Sequence, residues 1–102
     1  MDYWIHIMRI SDEMRKYFSE EVERIRPGAQ VYLLGLRADD EKRGGDIDIM
    51  VLTDRRPEFE EMSFLRTGFW KRFGEQKIDL VSFTPDERDP FKDLIMGHAV
   101  EI

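Results

Sequence analysis

Residues 35–52 read GLRADDEKRGGDIDIMVL, a charged turn with several glycines that runs directly into an apolar, β-branched segment. Side chains alternate along a β-strand, so Asp46 and Asp48 are predicted to emerge on one face, about 7 Å apart. A strand with two carboxylates on one face must hydrate them, pair them or give them a cation, because an unpaired buried carboxylate is costly. This spacing alone leaves open both a cation site and a solvated strand end.

A third carboxylate, Asp79, is the one charged residue inside a later apolar run at residues 77–83. Side chains opposite each other on neighbouring strands have Cβ atoms about 5 Å apart, so Asp79 would meet Asp46 and Asp48 if the two strands were adjacent. Mg²⁺ is usually held by one or two carboxylates with water and substrate phosphates. Paired metal ions align the attacking and leaving oxygens in nucleotidyl transfer. Asp79 therefore favours a metal site more strongly than the first two aspartates do alone.

Three other polar residues are interpreted without a ligand role. Asp54 follows the double-aspartate segment at a strand end and is predicted to be a turn residue. His6 and His98 are each isolated from any other ligand pattern, so they are predicted to be structural or surface groups.

The turn at residues 35–45 has two interpretations. Gly35 lets the backbone bend sharply and approach a ligand closely. Amides beyond it would cradle phosphate oxygens, with Arg37, Lys42 or Arg43 supplying positive charge. The mixed charges also fit a hydrophilic loop that keeps the protein soluble, and this simpler interpretation is favoured when the turn is taken alone.

Helical and extended patterns alternate along the rest of the chain. Ser11 is a good N-cap for an amphipathic helix that ends before Pro27. Pro57 suits the first turn of a second, aromatic-rich helix that ends near Gly74. A last short helix is interrupted by Pro90. The predicted helices span residues 12–26, 57–73 and 86–97, and the predicted strands span residues 31–34, 46–52, 77–83 and, as a short extended piece, 99–102.

This order of elements predicts an α/β (α+β) fold with a small mixed β-sheet packed with helices, a wholly antiparallel sheet being the alternative. The 102 residues fit a single domain, and a hydrophobic fraction of 41% with 37% charged residues is typical of a soluble globular protein. No linker or repeat divides the chain, so one domain is predicted over residues 1–102.

The charge and the absence of cysteine exclude several classes of function. A net charge of −6 argues against strong non-specific nucleic-acid binding, which needs clustered Lys and Arg. The chain has no cysteine, so disulfides and zinc–thiolate sites are excluded. No apolar run approaches the ~18 residues of a membrane span, and the first residues lack a signal-peptide pattern. A cytoplasmic protein without a membrane partner is expected.

Three separated pieces of the chain resemble the minimal nucleotidyltransferase family, the small relatives of the DNA polymerase beta superfamily. The signature of that family is a strand, a Gly-Ser turn, an Asp-x-Asp on the next strand and a third Asp on a later strand. Its parts are similar to VYLLGLRA at residues 31–38, DIDIMV at 46–51 and KIDLV at 77–81, and the tail at 90–102 is similar to the closing helix and extension of the family.

The resemblance implies a nucleotidyltransferase-like fold and transfer of a nucleoside monophosphate from a triphosphate, with ATP as the expected donor. Asp46, Asp48 and Asp79 would be the catalytic residues and the metal ligands for Mg²⁺, two ions being expected with nucleotide bound. Asp79 would complete this site or help to deprotonate the acceptor. The residues expected to bind the nucleotide at the turn are Gly35, Leu36, Arg37 and Gly45.

Family members often pair with a helical HEPN-type protein, which the nucleotidyltransferase adenylylates as its antitoxin. The resemblance therefore implies a HEPN-like protein partner and acceptor, with a toxin–antitoxin role. A homo-oligomer is a further expected assembly.

The turn departs from the family pattern. Leu36 stands where the family has its phosphate-binding Ser, Asp40 where a second Gly is common, and Gly45 where a Ser precedes the first aspartate. The loop is also one residue shorter. Leucine has no hydroxyl to donate, and the acidic residues 39–41 would repel a triphosphate. A second interpretation is therefore a catalytically weakened fold that binds a partner through residues 58–73. A divalent-cation site without nucleotide chemistry is a third.

Overall fold

A computed structural model describes residues 10–34 and 47–102 of the chain. These residues form three helices and four strands. In chain order they are α1 (Asp12–Ile25), β1 (Gln30–Leu34), β2 (Ile47–Leu52), α2 (Phe59–Phe73), β3 (Ile78–Phe83), α3 (Pro90–Met96) and β4 (Ala99–Glu101).

The four strands form one sheet in the order β3-β2-β1-β4. β1 pairs antiparallel with β2 and with β4, whereas β2 and β3 run parallel. Parallel neighbours need a long crossover connection, and α2 is that connection between β2 and β3. The sheet is therefore mixed, and the predicted α+β fold is confirmed.

The first helix begins where its sequence predicts and ends at Ile25, one residue before the predicted end. The Met14 amide donates a hydrogen bond to the Ser11 hydroxyl oxygen at 3.1 Å, which caps the helix, and Asp12 and Glu13 lie favourably in its first turn. Tyr17, Phe18 and Val22 are buried along one side. The helix thus presents one apolar stripe to the rest of the fold.

The larger hydrophobic core lies between α1, α2 and one face of the sheet. The rings of Phe18 on α1 and Phe69 on α2 stack with their centroids 5.2 Å apart. The Tyr17 hydroxyl donates a hydrogen bond to the Leu65 carbonyl oxygen at 2.7 Å, so its buried polar group is satisfied. Alternate residues of β1 and β2, with the first residue of β3, complete this core, namely Val31, Leu33, Ile47, Ile49, Val51 and Ile78.

A smaller core lies on the opposite face of the sheet, beneath α3. It consists of Leu34, Met50 and Phe83 from the strands and Ile95 from α3. Within the described ranges, α3 is the helix that packs on this face, and it has only seven residues. Part of the face, towards the first residues of β2 and β3, is therefore left for the cavity described below.

Two prolines occupy different positions from those predicted. The Glu58 amide donates to the Glu61 carboxylate at 2.7 Å and α2 begins at Phe59, so Pro57 lies before the helix and not in its first turn. Pro90 does not interrupt a helix that begins at residue 86, because α3 begins at Pro90 itself. The Asp89 carboxylate accepts from the Phe91 amide at 2.8 Å, and the fixed φ of proline suits a first helical position.

Candidate active site

Asp48 and Asp79 lie side by side on the parallel strands β2 and β3. Ile47 and Ile49 are buried in the larger core, so alternation directs Asp48 to the opposite face of the sheet. Ile78 is buried in the same core, which directs Asp79 to the same face as Asp48. Neighbouring strands lie about 4.8 Å apart. Two of the three predicted carboxylates are thus brought together, and both are half-buried.

These two carboxylates line an open cavity of about 450 Å³. Its volume is within the range of roughly 300–1,000 Å³ that is usual for small-molecule sites. The described residues that line it are Leu34, Asp48, Arg66, Asp79, Leu80, Val81 and Phe91.

The cavity floor is a row of side chains that crosses three strands. Leu33 pairs with Ile49, so the next residue of β1, Leu34, lies beside Asp48, and Asp79 follows on β3. β3 is the outer strand of the described sheet on this side, and Arg66 contributes to the wall there. The floor is therefore apolar at its inner end and acidic on β2 and β3, while Arg66 adds a cation to the lining.

Sequence reasoning missed Arg66 and Phe91 as lining residues. Arg66 belongs to α2, next to the buried Leu65, in a chain rich in charged helical residues. Nothing in its spacing distinguishes it from the other arginines of the helices. Phe91 lies in the first turn of α3 and is 48% exposed, which gives the cavity an aromatic wall.

Several predicted site residues lie outside the described residues, so their positions stay predictions. These are Asp46 and the turn residues Gly35, Leu36, Arg37, Lys42, Arg43 and Gly45. His6, predicted to have no ligand role, also lies outside the described residues. Of the predicted non-ligands, Asp54 is exposed in a bend after β2, as expected for a turn residue, and His98 is exposed on the surface.

The donor set suits a hard cation. Among the described residues, no group of three or more His, Cys, Asp or Glu side chains could hold a metal ion. This part of the chain therefore supplies the pair Asp48 and Asp79, and a third protein ligand would have to come from elsewhere. Mg²⁺ is often bound by only one or two carboxylates, with substrate phosphates and water completing its octahedron. The pair fits this requirement.

A buried lysine fixes α3 beside the cavity. The Lys92 ammonium donates hydrogen bonds to the carbonyl oxygens of Thr84 at 3.0 Å, Pro85 at 2.8 Å and Glu87 at 3.0 Å. Its three N–H groups are thus satisfied by the backbone that follows β3, although its side chain is buried. The adjacent Phe91 is held near Phe83, with ring centroids 6.4 Å apart, and so stays in the cavity wall.

A second cavity, of about 310 Å³, lies beside Arg26 and Thr53. Arg26 does not offer a free guanidinium there, because it donates to the Glu61 carboxylate at 2.8 and 3.2 Å and to the carbonyl oxygens of Arg55 and Arg56 at 2.9 and 3.2 Å. The hydrogen bond from the Glu58 amide, followed by that from Arg26, lowers the pKa of Glu61. Arg26 therefore joins the end of α1 to the start of α2, which is a structural role.

Comparison with known proteins identifies the family. A family model described as the nucleotidyltransferase domain matches residues 12–102. The match covers most of the chain, including both strands that carry the described carboxylates. The chain therefore belongs to the nucleotidyltransferase domain family. This agrees with its resemblance to the minimal nucleotidyltransferases. This class of domain transfers a nucleoside monophosphate.

A comparison with curated proteins found no match. In the described part of the chain, no helix has both the length and the apolar character needed to cross a membrane.

Proposed function

We propose that this protein is a magnesium-dependent nucleotidyltransferase that transfers a nucleoside monophosphate from ATP to a protein or other acceptor. Family membership supplies the reaction class. The observation that supports a site at these carboxylates is that Asp48 and Asp79 pair on parallel strands and both line a cavity of about 450 Å³.

The proposed roles follow from the chemistry of the carboxylates. Asp48 and Asp79, with Asp46 as the third carboxylate, would hold Mg²⁺ through their oxygens. When bound, Mg²⁺ neutralises phosphate charge and orients the attacking and leaving oxygens. Asp79 lies on the outer strand, so it would either complete the ligand set or accept the proton of the acceptor. The turn with Gly35, Leu36, Arg37 and Gly45 is the proposed nucleotide-binding segment.

The proposed reaction is a substitution at the α-phosphorus of the nucleotide. An acceptor hydroxyl oxygen forms a bond to that phosphorus while the bond to the bridging oxygen of pyrophosphate breaks. The acceptor proton passes to a carboxylate or to solvent, and pyrophosphate leaves with the electron pair. The protein would contribute positioning and charge stabilisation, because no covalent enzyme intermediate is needed.

We further propose a HEPN-like protein as the acceptor, with this protein acting as its antitoxin. The support is the resemblance to minimal nucleotidyltransferases that form such pairs. The described fold is one four-stranded sheet with three helices, so an acceptor that brings its own surface to the open cavity suits it. Self-association is proposed as a second form of assembly.

The direct test is label transfer from ATP labelled at the α-phosphate, in the presence of Mg²⁺ and candidate acceptor proteins. We expect label on an acceptor, and a loss of about 100-fold in rate for Asp48→Asn or Asp79→Asn, comparable to the removal of one transition-state contact. Asp54→Asn is the matched control, because Asp54 is exposed and outside the cavity lining. Full activity of Asp48→Asn, or no transfer to any acceptor, would contradict the proposal.

Exposed aromatic residues on α2 favour a second candidate function, a partner-binding module. Phe59 and Phe64 are each 80% exposed, whereas Leu65 and Phe69 of the same helix are buried in the core. The docking surface of this module would therefore be limited to the two exposed rings. Calorimetric titration with Mg-ATP separates the two functions, because micromolar binding would exclude a module that lacks nucleotide chemistry.

A further inference from the structure

We infer that Arg66 contacts the phosphate groups of the bound nucleotide from the outer edge of the sheet. The inference rests on the proposed function for the identity of the ligand. It adds a residue that lies outside the predicted turn and outside the aspartate motif.

The first support is the path of the Arg66 side chain. Its helix packs on the face of the sheet opposite to the carboxylates, since Leu65 and Phe69 are buried in the larger core. Leu80 packs against that same core and also lines the cavity. The cavity therefore continues around the outer edge of β3, and Arg66 lines it at that edge.

The second support is the hydrogen-bonding state of Arg66. Three arginines of α1 and its end have carboxylate partners, namely Arg15 with Asp12 at 3.3 Å, Arg24 with Glu21 at 3.0 Å and Arg26 with Glu61 at 2.8 Å. Arg72 on α2 lies over the Phe73 ring, 5.4 Å from its centroid. Arg66 is half-buried, and within the described chain its guanidinium has no hydrogen bond or ion pair. A partly desolvated cation without acceptors is costly, and an anionic ligand would offset that cost.

The third support is the distribution of charge in the cavity. Of the described lining residues, Arg66 is the one cation. An arginine that served only to neutralise the carboxylates would contact Asp79, and no ion pair joins these two described residues. A guanidinium presents a planar fork of donors that matches phosphate oxygens. Phosphates that share a cation with the aspartates would extend towards Arg66.

Calorimetry with two ligands tests the inference. Mg-ATP and Mg-tripolyphosphate would be titrated into the wild type, Arg66→Gln, Arg66→Lys and the control Arg88→Gln, which changes an exposed arginine outside the cavity. We expect Arg66→Gln to lower the affinity for both ligands at least tenfold, which is about the effect of losing one charge-assisted hydrogen bond. Arg66→Lys should lose less affinity, because it keeps the positive charge. Arg88→Gln should bind both ligands as the wild type does.

Binding of Mn²⁺ alone, followed by electron paramagnetic resonance, separates a phosphate contact from general damage. Removal of a nearby positive charge should leave Mn²⁺ affinity unchanged or raise it, while polyphosphate affinity falls. An equal loss of affinity for Mn²⁺, Mg-ATP and Mg-tripolyphosphate would overturn the inference. Thermal unfolding of each variant controls for folding, and Arg66→Lys carries the test if Arg66→Gln does not fold.

The outcomes distinguish this inference from the proposed function. Equal Mg-ATP affinity in the wild type and Arg66→Gln would overturn the role of Arg66 and leave the nucleotide proposal standing. Binding of tripolyphosphate that depends on Arg66, without binding of ATP, would support the phosphate contact and overturn the nucleotide proposal. A wild type that binds neither ligand would overturn both.

Discussion

Tyr17 of α1 and the partly buried Gly68 of α2 meet where the two helices pack together. A Cβ atom at position 68 would overlap the Tyr17 hydroxyl oxygen, whereas the next ring atom, Cζ, would lie at 3.5 Å in ordinary contact. The hydroxyl is fixed by its hydrogen bond to the Leu65 carbonyl, and burial, followed by the charge of Glu21, raises the pKa of Tyr17. Position 68 therefore favours glycine, because a side chain there would overlap the Tyr17 hydroxyl oxygen.

This contact predicts that the effect of Gly68→Ala on the free energy of unfolding changes sign when Tyr17 is replaced by phenylalanine. In the wild type, Gly68→Ala should lower the free energy of unfolding by about 1–3 kcal/mol, because it overpacks the core. In a Tyr17→Phe background the overlap is gone, and the same substitution should raise stability by up to about 1 kcal/mol, the helix propensity of alanine over glycine. Urea unfolding of the four proteins measures this, and the same sign in both backgrounds would contradict the account.

The functional residues differ in how far the sequence reveals them. Asp48 and Asp79 were predictable as site candidates because each interrupts an otherwise apolar run, which is a local property. Their position side by side was predicted only on the condition that the two strands are adjacent, and the parallel pairing of β2 and β3 meets that condition. Arg66 was not predictable, because its place in the cavity depends on how its helix, which packs on one face of the sheet, lies relative to the outer strand β3. The outer strand is defined only when the strand order is known.

At the scale of elements, α3 depends on Lys92 for its position. Lys92→Met keeps much of the side-chain volume but leaves the carbonyl oxygens of Thr84, Pro85 and Glu87 without their donor. We expect a loss of about 2 kcal/mol or more in the free energy of unfolding, since buried acceptors would be unsatisfied. Amide hydrogen exchange in α3 should also become faster.

Lys16→Met is the control for that substitution, because Lys16 is exposed on α1. It should change the free energy of unfolding by no more than about 0.5 kcal/mol. Equal stabilities of the two variants would show that the Lys92 hydrogen bonds do not hold α3.

The Arg26–Glu61 pair, which joins the end of α1 to α2, predicts a dependence of stability on pH. The pKa of Glu61 in the folded protein is below its ordinary value of 4.5, first because of the Glu58 amide and then because of Arg26. Its ionised form therefore stabilises the fold above pH 4.5, and this contribution is lost as the pH falls through the lowered pKa. Glu61→Gln should flatten the loss of stability in acid.

Urea unfolding at a series of acidic pH values measures this difference. Glu60→Gln is the matched control, because Glu60 is an exposed neighbour on the same helix. It should retain the steep dependence of the wild type. A wild type and Glu61→Gln with parallel pH profiles would rule out a contribution from the Arg26–Glu61 pair.

Most element boundaries could be predicted because the signals are local. Ser11, Gly74 and the β-branched runs define their helix or strand ends without reference to the rest of the chain. The two prolines were misplaced because a proline is compatible both with a first helical turn and with the residues before a helix. The capping interactions of Glu58 and Asp89 decide between these positions.

At the scale of the whole molecule, the sheet is covered unequally. α1 and α2 bury one face, and in the described chain the short α3 covers only part of the other. The sequence left mixed and antiparallel sheets open, because strand order depends on how α2 crosses the sheet. The parallel pairing that this crossover produces brings Asp48 beside Asp79. The fold thus leaves its carboxylate pair on the less covered face.

The central claim is that Asp48 and Asp79 hold the cation of a bound nucleotide, and nuclear magnetic resonance of the labelled protein with Mn²⁺ and ATP tests it most directly. A bound paramagnetic ion broadens the signals of nearby nuclei. We predict that broadening centres on the amides of Asp48 and Asp79, weakens towards Phe91, and is lost in Asp48→Asn. Broadening centred on the second cavity beside Arg26 and Thr53, or no localised broadening, would contradict the claim.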